Sequence, residues 1–166
     1  MPPPNIVPST PRLNELVAAA VLEKPTRQLV QGTAVMDRFI WSAEFEVEIR
    51  REVFSKGPNI KALFPWASVD MPRNKGVPFL QQSGDLMTGP DEIAILLPIQ
   101  FPTGQEQTEL ETWTEGNNRQ KTKLVSGLIV ISPSINYIVP NNVLFVLYLC
   151  PISASQKAPL ATEGET

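Results

Sequence analysis

The chain has 166 residues, 42% of them hydrophobic, enough for one domain with a single core and too few for two independent ones. With no histidine and one cysteine, it lacks the base that serine and cysteine hydrolases of the usual kind need, and it cannot assemble the imidazole and thiolate sets of zinc or non-haem iron sites. Fourteen basic against 17 acidic residues leave a net charge of −3 with no polybasic arm, which counts against electrostatic capture of nucleic acid.

Seventeen prolines, scattered without a repeat, fit short strands and shaped loops. Residues 1–11 are proline-rich and read as an extended arm with little structure of its own. The amino terminus has no apolar h-region and the chain has no Asn-x-Ser/Thr acceptor, so synthesis in the cytosol is expected. Thr10 offers an N-cap and Pro11 the first helical position of a helix predicted over Arg12–Glu23 and stopped by Pro25. Its stripe of Leu13, Leu16, Val17 and Ala20 needs a partner surface, either the sandwich edge or a neighbouring subunit.

A strand is expected over 28–36 (QLVQGTAVM). From Arg38 the period becomes two, with Phe39, Trp41, Ala43, Phe45, Val47 and Ile49 on one face and Arg38, Ser42, Glu44, Glu46 and Glu48 on the other, which predicts a half-buried strand. Further strands are predicted over 59–66, 78–82, 92–101 and 108–114, with Pro98 marking a bulge or the end of pairing. After the polar turn Glu115–Asn118, the segment 124–151 carries two apolar runs that read as the closing pair of strands. The count is about eight strands and one substantial helix, and residues 153–166 read as a polar tail.

Candidate chemistry is sparse. Glu44, Glu46 and Glu48 in one row and Glu109 and Glu111 in another offer oxygen ligands for a hard cation, but alternating glutamates opposite an apolar face are the ordinary dress of a half-buried strand. Arg119, Lys121 and Lys123 alternate in the same way and read as a solvated strand. Trp41 and Trp66 read as packing residues, whereas Trp113 is the one tryptophan placed to offer a sugar-stacking platform. Cys150, at the end of an apolar strand, reads as a buried thiol. No catalytic, cofactor-binding or metal-binding residue is assigned, no enzymatic activity is expected, and no apolar run is long enough to span a bilayer.

The carboxyl half resembles the capsid jelly roll of picorna-like viruses. EIAILLPIQFP resembles the strand that ends in proline at a sandwich corner. SGLIVISPSINYIVPNNVLFVLYLCP resembles the last two strands, with Gly127, Leu128, Ile129 and Val130 matching the first and Val143, Phe145, Leu147 and Tyr148 the second. The resemblance, closest to a small coat protein of a plant secovirid of the cheravirus type, implies an all-β fold: an eight-stranded antiparallel jelly-roll β-sandwich over 27–152, preceded by an arm and short helix in 1–26 and followed by a tail in 153–166. It implies a structural subunit of an icosahedral, pseudo-T=3 virion made in the host cytoplasm. Its partners would be other capsid proteins and symmetry copies of itself, with packaged RNA touched only indirectly and no membrane involved. In that setting the arm and the Arg12–Glu23 helix would pack against neighbours or the inner face of the shell. Two other readings stay open: a cellular β-sandwich interaction module that recognises a peptide by strand addition, and a carbohydrate-binding module using Trp113.

Overall fold

A computed structural model describes residues 3–20, 23–29, 34–55, 57–100 and 108–154. It is mostly β: two antiparallel sheets packed face to face, with three helices laid over the outer face of the larger one. In chain order the elements are β1 (Asn5–Val7), α1 (Pro11–Ala18), β2 (Glu23–Leu29), β3 (Val35–Ile40), α2 (Ala43–Phe54), α3 (Gly57–Ala62), β4 (Ala67–Val69), β5 (Pro78–Ser83), β6 (Leu86–Met87), β7 (Glu92–Gln100), β8 (Glu109–Trp113), β9 (Gln120–Lys123), β10 (Leu128–Ile131), β11 (Asn136–Ile138) and β12 (Leu144–Ala154). The large sheet runs β1-β10-β7-β12-β5-β3-β2, with β4 also paired to β12, and the small sheet runs β6-β11-β8-β9.

The central strands of the large sheet explain the long apolar runs. Along β7, Ile93, Ile95 and Leu97 point to the helices while Ala94 and Leu96 point to the small sheet. In β12, Val146, Tyr148 and Cys150 face the helices and Phe145, Leu147 and Leu149 face the sandwich interior. A strand covered on both faces has no polar side, so period two disappears from the sequence and a continuous apolar run remains. Pro98 stands beside the register shift at Leu144/Phe145 between β7 and β12, the irregularity expected of it.

The stretch 38–49 is not the long strand that its alternation predicts. β3 ends at Ile40, and Ser42 caps α2 by accepting a hydrogen bond from the Phe45 N–H at 3.1 Å. AEFEVEIRREVF is rich in helix formers, with Glu44 and Glu46 in its first turn and Arg51 in its last, which suits the helix dipole. The buried side chains are Glu46, Ile49 and Val53, at i, i+3 and i+7. Trp41 and Ile49 are therefore buried as expected, but Phe39 and Phe45 are only half-buried and Val47 is 48% exposed. In the two apolar runs of the closing segment, Leu128, Val130, Val143, Phe145 and Leu147 are all buried.

Other boundaries move for similar reasons. The expected strand over 59–66 is α3 and a turn, and the expected strand over 28–36 takes in the end of β2 and the start of β3, while its residues 30–33 lie outside the described residues. The first helix has the predicted Thr10 cap, whose hydroxyl accepts from the Leu13 N–H at 3.0 Å, but it stops at Ala18, and Glu23 already belongs to β2. The arm is not structureless: Asn5–Val7 pair with Leu128–Val130. Gly127 permits this approach, with φ +142° and room for no more than a hydrogen where a Cβ would stand 2.9 Å from the Val7 carbonyl oxygen. Nor does α1 wait for a neighbour. Leu13 and Leu16 are buried in the same core as Ile49 and Val53, and the Thr10 hydroxyl meets the Glu52 carboxylate.

The closing pair is in fact three strands. β10 and β12 flank β7 in the large sheet, and the intervening NYI forms β11 in the small one. Of the polar tail, Ser153 and Ala154 close β12 against β4, and 155–166 lie outside the described residues.

Candidate interaction surface

The helical layer is fastened to the large sheet by a connected polar cluster. Glu46, buried on α2, accepts hydrogen bonds from Arg50 Nε at 3.0 Å, Arg50 Nη2 at 2.9 Å and the Gly76 N–H at 3.0 Å. Arg50 Nη2 also donates to the Asn74 carbonyl at 3.0 Å, and its guanidinium lies 5.9 Å from the centre of the Tyr148 ring. Asn74 completes the tie to β12, donating to the Leu147 carbonyl and accepting from the Leu149 N–H, both at 2.8 Å. The Trp41 indole N–H donates to the Gly76 carbonyl at 2.9 Å while its ring meets Phe45 edge-on, centroids 5.1 Å apart. Gly76 has to be glycine here, because a Cβ would fall 2.3 Å from the Tyr148 hydroxyl oxygen. Burial, followed by the nearby Glu46 carboxylate, pushes the Tyr148 phenol well above its usual range. Cys150, on the same face, is buried, and burial pushes its thiol up to about 12.

This cluster was legible only in part. Glu46 and Arg50 stand at i, i+4, the helical pairing of an acidic residue ahead of a basic one, and that spacing was the available signal against a strand. The glutamate row expected on one face of a strand is dispersed by the helix. Glu46 turns inward, Glu48 lies 3.9 Å from Arg12, and Glu44 is exposed.

The second acidic row does form, on β8, and it faces the basic row. Glu109 is opposite Lys123 and Glu111 opposite Lys121 in the β8–β9 register, and Arg119 reaches Glu111 at 3.0 Å. Opposite charges across an antiparallel pair neutralise one another, so this is a solvated charge ladder. No group of three or more metal-ligating side chains comes together among the described residues. Trp113, the candidate sugar platform, is half-buried and has the Arg119 guanidinium over its ring at 4.1 Å. That cation covers one face of the indole.

Apolar side chains exposed on the helical layer mark the surfaces open to a partner. Ile40 and Val47 flank a groove of about 250 Å³ beside Arg38 and Lys75, and Trp66 and Met71 stand 55% and 58% exposed near α3 and β4. Ile6 on β1, Val125 before β10 and Met87 on β6 are also exposed. Among the described residues no helix is long and apolar enough to cross a membrane. No protein-family model matches this sequence, and no curated protein matches it.

Proposed function

We propose that this chain is a jelly-roll coat subunit, a structural part of an icosahedral shell that encloses an RNA genome. The observation that carries the reading is the order of its last eight strands. Taken along the chain from β5 to β12, they fall into two sets of four, β10-β7-β12-β5 and β6-β11-β8-β9. Only β8 and β9 are consecutive in both chain and sheet, and the other connections cross the sandwich. That interleaving supports a double Greek key of the jelly-roll kind, an architecture shared by viral capsid proteins, lectins and cupins. Within this group, a metal-dependent cupin enzyme is disfavoured by a sequence without histidine, and the lectin reading by the arginine over Trp113. The coat reading also agrees with apolar side chains exposed at several separate places, since a shell subunit meets several neighbours. The sequence resemblance adds a plant secovirid type of shell, built from three small coat proteins in a pseudo-T=3 arrangement.

A second reading, a self-contained β-sandwich interaction module, is favoured by one observation: β1 and α1 pack on their own domain. Light scattering and electron microscopy of the native species separate the two. The coat reading expects spherical particles, with each chain burying several interfaces of about 1,000 Å² or more. A species that stays monomeric at every concentration, and forms no particle with companion chains, overturns it in favour of the module.

A further inference from the structure

Ile40 at the end of β3 and Val47 on the outward side of α2 are 43% and 48% exposed, and both line the groove of about 250 Å³ where β3, α2 and the loop before β5 meet. Trp41, Ala43 and Val77 complete its apolar lining. The Trp41 indole is held by its bond to the Gly76 carbonyl and by the Phe45 ring, so this part of the lining is fixed in advance. Arg38 and Lys75 line the same groove, both exposed, and neither side chain makes a hydrogen bond or ion pair among the described residues. Glu46 lines it too, but its Oε1 is committed to Arg50 and the Gly76 N–H, so the charge left uncommitted is positive. Glu44, the other acid in the first turn of α2, is outside the lining. In a chain of net charge −3 this is a local reversal of sign. With a Debye length of ~8 Å in physiological salt, an incoming carboxylate responds mainly to the cations beside it.

The shape of the groove selects the kind of partner. Its volume lies below the ~300–1,000 Å³ of small-molecule pockets, and Ile40 and Val47 stand about half in solvent, so it cannot bury most of a free ligand. It can take one apolar side chain of a larger body that stays outside. β3 is paired on both sides, to β2 and to β5, so it has no free edge for strand addition and recognition falls to side chains. In an extended segment residues two apart share a face, so an apolar residue with acids at i−2 and i+2 presents its anchor and both carboxylates together.

We propose that this groove binds an extended acidic segment of a partner protein, with an apolar side chain entering between Ile40 and Val47 and flanking carboxylates meeting Arg38 and Lys75. Such a contact is open to a shell subunit and to a self-contained module alike, since it uses only this chain's own surface.

Titration of the isotope-labelled full chain with the peptide acetyl-Glu-Ser-Leu-Ser-Glu-amide, followed by amide chemical shifts, tests it. The shifts should be confined to residues 38–47 and 75–77 and saturate with a Kd of about 1 mM, as suits one anchor and two exposed ion pairs. Acetyl-Lys-Ser-Leu-Ser-Lys-amide should bind about tenfold more weakly, and the difference should shrink in about 1 M salt. Arg38→Glu combined with Lys75→Glu should reverse the preference between the two peptides. Both positions are exposed, and the amide spectrum itself reports that the variant is folded. No saturating shift in the groove, or equal binding of the two peptides, overturns the proposal, as does a preference that survives the double substitution. Tighter binding of octanoate at the same residues assigns the groove to a small amphiphilic anion and overturns the peptide. Groove shifts that follow protein concentration without peptide, and that Val47→Glu removes, place a second copy there and overturn it likewise.

Discussion

The two faces of the large sheet bury apolar side chains equally well but are closed by different means. Toward the small sheet the contact is mainly hydrocarbon, with neutral hydrogen bonds and no ion pair described within it: Leu96, Ile129, Ile131, Phe145 and Leu147 meet Leu86, Leu110 and Tyr137, Phe79 and Phe145 lie 6.4 Å apart by ring centroids, and the buried Gln81 amide oxygen accepts from the Val139 N–H at 2.8 Å. Toward the helices an apolar layer of Leu13, Trp41, Ile49 and Val53 is joined by the Glu46, Arg50, Asn74 and Gly76 cluster. Hydrocarbon packing is non-directional and tolerates repacking, whereas a buried charge pair accepts only the arrangement that satisfies it. The sandwich face thus supplies bulk stability, and the helical face fixes where one particular helix sits.

Truncation separates the two most sharply. Phe145→Ala on the sandwich face and Trp41→Ala on the helical face should each cost about 3–5 kcal/mol in urea denaturation. They should differ in where protection is lost. Native-state hydrogen exchange of Trp41→Ala should show α2 opening ahead of β7 and β12, while Phe145→Ala should lower the protection of both sheets together. Equal loss everywhere in both variants would mean that the helices and the sandwich form one cooperative unit.

Glu46→Gln comes next, at about 3 kcal/mol, because it leaves the Arg50 guanidinium without its counter-ion in a largely buried position. A double-mutant cycle with Arg50→Met measures the coupling, and additive costs would show that the pair does not act as a lock. Gly76→Ala should cost about 1–3 kcal/mol, as the new methyl group displaces the Tyr148 ring. Near-ultraviolet circular dichroism of Tyr148 and Trp41 should change with it.

The smallest effect is alkaline. Cys150 is held neutral up to about 12 in the fold but ionises near 9 when unfolded, and Tyr137 and Tyr148 are raised in the same sense. Between those pH values the unfolded chain binds fewer protons, so stability is complete below about pH 9 and falls as pH rises through the folded values. The urea midpoint should decline above pH 9. Cys150→Ala, compared with its own value at pH 7, should remove part of that decline, and an unchanged slope would show that the tyrosines carry all of it.

The sandwich half was legible because its strands leave a local trace. The 92–101 and 108–114 predictions match β7 and β8 within a residue or two, and Pro98 marks a real irregularity. The helical half was not legible from hydrophobic alternation alone. FIWSAEFEVEI alternates as well as any strand, and the competing signals, the Ser42 cap and the Glu46 to Arg50 spacing, are shorter and weaker. Of the polar cluster, only that helical pair had a local signature. Asn74 and Gly76 join it from a loop about thirty positions away from Glu46 along the chain, and no sequence spacing predicts such a meeting.

By itself the sequence determined composition-level chemistry and the central strands. A chain without histidine cannot place an imidazole anywhere, and a continuous apolar run of eight residues must be covered on both faces wherever it goes. Tertiary structure decided what depends on contacts between distant segments. It drew the arm onto the β10 edge, because an extended segment satisfies its backbone groups there. It set the β8 glutamates opposite the β9 cations, and it turned 43–54 into a helix, because the outer face of the large sheet needed a cover with one apolar stripe.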